Sequence, residues 1–245
     1  MTEPLSRLTA FDQLFRDPSV PEKFGRATPR YLAASSRFWQ TILSGEHLSP
    51  RMKELVLLAL HASVSALDSE AISRHAARAL AAGASEEDVL DVLIAIVGVA
   101  NHALYSAVPV LLTELKAAER ADAELPELSA EAEAIKAEFV RTRGFWNEQR
   151  DVLARLMPAY FSALSEISME PWKSGVLTPK ERELIYIAID SSPTHSYGPG
   201  LAMHIRHALG HGATRDEILT IFQLAASMGL EGLVQGVEAL FGEKQ

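Results

Sequence analysis

Residues 177–219 read LTPKERELIYIAIDSSPTHSYGPGLAMHIRHALGHGATRDEIL, and residues 48–90 read LSPRMKELVLLALHASVSALDSEAISRHAARALAAGASEEDVL. The two stretches align without a gap at an offset of 129 residues. Leu48, Pro50, Glu54, Leu55, His75, Gly83 and Ala84 fall on Leu177, Pro179, Glu183, Leu184, His204, Gly212 and Ala213. The register extends upstream, where Pro29 and Tyr31 meet Pro158 and Tyr160, and downstream, where Leu104 and Val108 meet Leu233 and Val237. A shared period this long means two copies of one structural unit. A unit of that size buries little apolar surface alone, so the copies are expected to pack together as an internal pseudo-dimer.

Within each copy the signals are helical. Ser49-Pro50 and Thr178-Pro179 are N-cap and first-turn pairs, and Thr178 with Glu181 spells a capping box, as does Thr214 with Glu217. Ser85 and Asp88 make a similar start, and Gly83 and Gly212 are natural helix terminators. The run IYIAI at 185–189 is short and apolar, but its counterpart VLLAL and the preceding cap place it on a helix. The expected fold is all-α. It comprises an N-terminal leader (1–28) with a short helix near Phe11–Phe15, a first repeat (29–118), an acidic connector turning helical near Ser129 (119–157) and a second repeat (158–245). The apolar helix after Ser85 is expected to bend near Gly98–Asn101 and to run on to about Arg120.

Composition narrows the function. The net charge of −9 without a basic stripe argues against nucleic acid and anionic membrane surfaces as partners. Val92–Thr113 lacks Asp, Glu, Lys and Arg, a length that spans a bilayer. The polar Asn101, His102 and Ser106 inside it indicate a buried helix instead. The absence of cysteine removes disulfide and thiolate chemistry. The first fifteen residues carry mixed charges and no apolar core, unlike a signal peptide, so a cytoplasmic protein is expected.

The polar residues recur at fixed spacing. Glu54, His61, Asp68 and His75 stand seven apart, and Glu183, Asp190, Tyr197 and His204 hold the same positions in the second copy. Seven residues is close to two helical turns. An antiparallel hairpin therefore sets Glu54 beside His75, His61 beside Asp68, and Glu183 beside His204. A buried carboxylate–imidazole pair suits proton transfer near neutral pH, and it equally suits a structural bond between two helices. Thr194 and His195 lie at the second hairpin turn. His102 and Glu231 share one equivalent position and need a polar partner when buried. His204, His207 and His211 form a helical stripe that fits a metal as an alternative.

The pattern L-[ST]-P-x-x-x-E-L, a hairpin, then H-x-x-x-A-L-x-x-G-A-[ST]-x-[ED]-[DE] resembles the carboxymuconolactone decarboxylase-like family, which includes the AhpD-type alkylhydroperoxidases. The resemblance covers Leu48 to about Leu112 and Leu177 to about Phe241. It implies tandem helical units that assemble as homo-oligomers, trimers or similar, and a lyase acting on a small-molecule substrate without a cofactor. AhpD-type members carry Cys-x-x-Cys before the motif histidine. Here those positions are Asp68 and Ala71, and Tyr197 and Gly200. Tyr-Gly-Pro-Gly at 197–200 also replaces acidic residues of the decarboxylase branch, pointing to a different substrate.

The sequence thus reads as an acid–base enzyme acting on a small organic acid, lactone or carbonyl compound. His204 with Glu183 and His75 with Glu54 are the candidate catalytic pairs, and Tyr197, His195, Thr194, His61, Asp68, His102 and Glu231 are candidate substrate-binding groups. A metal-dependent enzyme and a non-catalytic ligand-binding or assembly protein are the competing readings. One outcome follows from the missing thiols: purified protein supplied with a dithiol donor and a hydroperoxide should show no turnover above the blank in a coupled peroxidase assay.

Overall fold

The computed structural model describes residues 10–242. Residues 1–9 of the expected leader and 243–245 of the expected second repeat lie outside the described residues. Among the described residues every regular element is helical. A short 3-10 turn at Phe11–Leu14 precedes α1 (Val20–Ala27) and α2 (Pro29–Ser44). The first hairpin is α3 (Pro50–Ala62) and α4 (Ser69–Ala81), followed by α5 (Glu86–Val97). Next come α6 (His102–Ala117), α7 (Ala130–Arg143), α8 (Glu148–Leu156) and α9 (Pro158–Ser174). The second hairpin is α10 (Pro179–Asp190) and α11 (Gly198–Gly210), and α12 (Arg215–Phe241) ends the chain.

The caps read from sequence form as expected. The Ser49 side chain accepts from the Met52 amide, and both Thr178–Glu181 and Thr214–Glu217 close as full capping boxes. Gly83 and Gly212 take φ of 94° and 82°, the left-handed conformation that terminates a helix without a Cβ clash. The two hairpin turns match in backbone as well. Leu67 and Ser196, at equivalent positions, have φ of 50° and 47°. The next amide in each case donates back across the turn, Asp68 to the His61 carbonyl at 3.1 Å and Tyr197 to the Asp190 carbonyl at 2.9 Å.

Two compact units result, and they cut across the duplication. One comprises residues up to Val92 together with Thr178 onward; the other is Leu93–Leu177. Both hairpins belong to the first unit. Every residue from Met52 to His61 on α3 and from Arg182 to Asp190 on α10 is buried, and a helix buried all round must sit at the centre of its unit. α3 packs on α10, α12 packs on both, and α1 and α2 close over α12. By length and composition both Glu86–Ala117 and α12 are apolar enough to cross a membrane; α12 is half buried and carries the buried Glu231, whereas Glu86–Ala117, expected as a buried helix, is largely unburied within one chain.

The second unit gathers α6–α9 around Val108, Ala132, Leu153, Ala154 and Phe161. Arginines stack on its aromatics, Arg143 at 3.7 Å from the Trp172 ring centre and Arg150 at 4.0 Å from that of Phe139, in cation–π geometry. The bend expected near Gly98–Asn101 is a 3-10 turn, fixed by Asn101, which donates to the Gly98 carbonyl at 3.0 Å and accepts from the Tyr160 hydroxyl at 2.7 Å. The helix beyond it stops at Ala117 rather than Arg120. Glu119 adopts φ of 52°, which no α-helix accommodates.

Ion pairs tie the copies together inside the first unit. Arg51 of the first copy donates to Asp88 and, at 2.6 Å, to Glu181, the capping residue of α10. Arg182, 1% exposed, donates to both oxygens of Asp91 at 2.6 and 2.9 Å. Removing one member of such a pair strands a buried charge. Asp91→Ala should therefore lower the unfolding free energy by about 3–5 kcal/mol in urea titrations, and Asp91→Ala combined with Arg182→Leu should recover part of that loss.

Candidate functional site

Each hairpin holds its Glu and His on facing helices at the same level. In the first, His75 Nδ1 lies 2.8 Å from Glu54 Oε2, and Arg78 donates to the other Glu54 oxygen at 2.9 Å. The far side of the ring is also taken: His75 Nε2 lies 3.2 Å from Glu231 Oε1, a carboxylate supplied by α12. Arg74 donates to the second oxygen of Glu231. His75 has no exposed surface. Burial opposes its charge, but the hydrogen bonds to Glu231 and Glu54 outweigh that and hold the imidazole above its usual range. Burial likewise works to raise Glu231, and the His75 bond together with Arg74 brings it below the ordinary carboxylate value.

His61 lies parallel to His75, ring centres 5.3 Å apart. Its Nδ1 is 3.8 Å from Asp68 and its Nε2 3.7 Å from Glu231 Oε1. Neither distance is a hydrogen bond, and the buried Nε2 has no hydrogen-bond partner. Its pKa is pushed down to about 4, chiefly by burial, against the pull of Glu231. This first centre is thus closed around His75, with both ring nitrogens engaged and both carboxylates backed by arginine.

The second centre repeats the pair and loses the enclosure. His204 Nδ1 lies 2.5 Å from Glu183 Oε2. Arg78 is replaced by His207, whose Nδ1 is 3.5 Å from Glu183 Oε1, and Arg74 is replaced by Met203. No hydrogen bond engages His204 Nε2 among the described residues; Asp190 Oδ2 stands 3.9 Å away. The Tyr186 ring lies at 4.8 Å from the imidazole. Asp190 also faces His195 at 3.6 Å, and His195 neighbours Tyr197 with ring centres 6.2 Å apart. His204 is 6% exposed where His75 is sealed.

Gly200 shapes this region. A Cβ there would come within 2.2 Å of Asp190 Oδ2 and 2.7 Å of the Tyr197 ring, so the missing side chain is what admits both groups. The first copy has Ala71 at that position and His61 in place of Asp190.

The structure therefore gathers Glu54, His75, His61, Asp68 and Glu231 in one centre and Glu183, His204, His195 and Tyr197 in the other. Thr194 stands apart on the exposed turn, its hydroxyl 3.1 Å from that of Ser65. His102 is buried at the start of α6 in the second compact unit, with its ring 6.0 Å from that of Tyr105. His211 is exposed at the end of α11 and belongs to neither centre. Sequence reasoning missed Arg74, Arg78 and Asp190. A signal existed for the first two: a buried glutamate needs a counter-charge, and arginines one turn apart flank His75 on α4. Two sets that lie wholly within the first unit have donor atoms close enough to hold a metal, all within 4.8 Å: His61, His75 and Glu231, and Glu183, His204 and His207.

Comparison with known proteins agrees with this architecture. The model of the "Carboxymuconolactone decarboxylase family" matches residues 29–120 and 158–240. A crystal structure from Burkholderia xenovorans LB400, of a protein provisionally assigned as a gamma-carboxymuconolactone decarboxylase subunit, superposes with a TM-score of 0.85. It is 33% identical, over 98% of this chain and 97% of that one. No curated protein matches the chain.

The contrast between the centres sets a stability expectation. Glu54→Ala leaves both Arg78 and His75 buried without their carboxylate and should destabilise by about 3–5 kcal/mol. Arg74→Ala, at the partly exposed rim, should cost less than half of that. Urea unfolding of the two variants measures the difference.

Proposed function

This chain belongs to the carboxymuconolactone decarboxylase family, and we propose that it is a decarboxylase-like lyase whose own acid–base groups act on a small organic acid, lactone or carbonyl compound. The chemistry is assigned to the second centre. One observation carries the choice: no hydrogen bond engages His204 Nε2 among the described residues, Asp190 lying 3.9 Å away, whereas His75 Nε2 is held by Glu231 at 3.2 Å. A proton donor must reach substrate with one nitrogen while the other is oriented.

In this reading Glu183 orients the His204 ring through Nδ1, leaving Nε2 to carry the proton to the substrate. As the carbon–carbon bond to the substrate carboxylate breaks, carbon dioxide departs and the bonding pair remains as an enolate. Imidazolium charge beside that enolate lowers the barrier. Nε2 then delivers its proton to carbon, and solvent restores it. Tyr197 and His195 bind substrate oxygens in this reading. The first centre, with its imidazole sealed, acts as the structural counterpart.

We further assign a homo-oligomeric state. Ile94, Val97, Val110 and Leu111 are about half exposed, more apolar surface than a monomer usually leaves to water. The Burkholderia xenovorans relative is described as a subunit.

Two measurements test these assignments. Once a substrate is in hand, His204→Gln and Glu183→Gln should each lower kcat by about 10²–10⁴-fold, with the double variant little worse than either. Folded His75→Gln protein should keep near-native turnover, and the reverse pattern would move the chemistry to the first copy. Light scattering at micromolar concentration should return a multiple of the 26.7 kDa chain mass, and a stable monomer would overturn the oligomer assignment.

A further inference from the structure

We propose that the first centre is a structural site for a divalent transition-metal ion of the zinc type, held by His61 Nε2, His75 Nε2 and Glu231 Oε1. The observation that points to a ligand is His61. Its side chain is 2% exposed, yet its Nε2 has no hydrogen-bond partner and faces Glu231 Oε1 at 3.7 Å. A buried nitrogen with a lone pair and no donor is costly unless something accepts that pair.

The geometry suits such an ion. Tetrahedral zinc with ligand bonds of about 2.0–2.1 Å separates its donor atoms by roughly 3.3–3.4 Å. Glu231 Oε1 stands 3.2 Å from His75 Nε2 and 3.7 Å from His61 Nε2, and all three donors lie within 4.8 Å of one another. Two imidazoles and one carboxylate form a familiar donor set for this metal.

The surrounding groups are those that orient ligands. Metal-bound histidines commonly pass their other nitrogen to a carboxylate; here His75 Nδ1 lies 2.8 Å from Glu54, itself anchored by Arg78. Asp68 stands 3.8 Å from His61 Nδ1, and Gln235 donates to that same Asp68 oxygen. Arg74 occupies the other oxygen of Glu231 and leaves Oε1 for the ion. Of the two guanidinium groups, Arg78 is paired with Glu54 and Arg74 with Glu231. The ion takes the place of the proton between His75 Nε2 and Glu231 Oε1, and His61 Nε2, now 3.7 Å from that oxygen, closes on it. With His75 fully enclosed, the metal enters while the chain folds, and it fastens α3, α4 and α12 at one point.

The test uses the full chain, unfolded in guanidinium with a chelator and refolded with cobalt(II), a spectroscopic substitute for zinc. After gel filtration the protein should retain one cobalt per chain, show the intense visible absorption of a tetrahedral site, and melt at higher temperature than protein refolded without metal. Glu231→Gln and His61→Asn should each abolish retention. Glu54→Gln, which touches only the far side of His75, should weaken binding by about 10–100-fold. Circular dichroism identifies any variant that fails to fold, and the folded member of the Glu231 and His61 pair then decides. Substoichiometric cobalt in the native chain overturns the proposal, as does retention that survives both substitutions. Loss on His207→Ala alone would place the ion at Glu183, His204 and His207 and overturn it equally.

Discussion

A helix buried on every side cannot turn its polar residues to water. α3 and α10 are such helices, and Glu54, His61, Arg182, Glu183 and Asp190 all lie on them. Each of these groups must find a partner inside the protein or lose several kcal/mol. The rest of the first unit can be understood as the set of elements that supply those partners. α4 and α11 return antiparallel to bring histidines level with the glutamates. α5 contributes Asp91, and α12 contributes Glu231. The apolar content of the core is unremarkable beside this requirement, because any well-packed helix bundle buries comparable carbon. What makes this arrangement specific is the polar seam that the carbon encloses.

The duplication then explains why two similar seams differ in chemistry. Both copies keep the Glu–His bond, so both hairpins close in the same way. The substitutions fall around it. Arg78 becomes His207, Arg74 becomes Met203, His61 becomes Asp190 and Ala71 becomes Gly200. The first two exchange fixed charges for one group that titrates and one that carries none, the third exchanges an imidazole for a carboxylate, and the last opens room at the N-terminus of α11. One copy has become a clamp, and the other keeps an imidazole nitrogen available. A duplicated fold can divide labour in this way because the backbone constraint is satisfied by either set of side chains.

Much of this was legible in the sequence because the signals were local. Capping pairs, terminating glycines and a seven-residue spacing fix the hairpins and set Glu54 beside His75 and Glu183 beside His204. The 3-10 turn at Gly98–Asn101 was visible in its glycine and polar residues. What could not be read were contacts set by packing between distant segments. Nothing near Glu231 in the chain says that it meets His75, 156 positions away. Arg74 and Arg78 look like solvated residues on an amphipathic helix until α3 and α12 cover them. Asp190 stands in the seven-residue pattern, but its spacing assigns it no partner, and only the missing Cβ of Gly200 reveals how closely it is held. The boundaries of the compact units were equally hidden, because repeat length describes ancestry and not which helices finally pack together.

That interleaving of segments has a consequence for synthesis. The unit at Leu93–Leu177 is contiguous in the chain, so it is complete on the ribosome before α10 exists. The α3–α4 hairpin, with its fully buried helix and its buried glutamate, emerges before that unit and waits. The final stretch, roughly 70 residues, takes on the order of 4–14 s at the usual rate of translation. Until that stretch is made the hairpin has neither α10 to cover it nor Glu231 to satisfy His75. An early part of the nascent chain therefore matures late, and a chaperone that shields helical hairpins would act on α3 and α4.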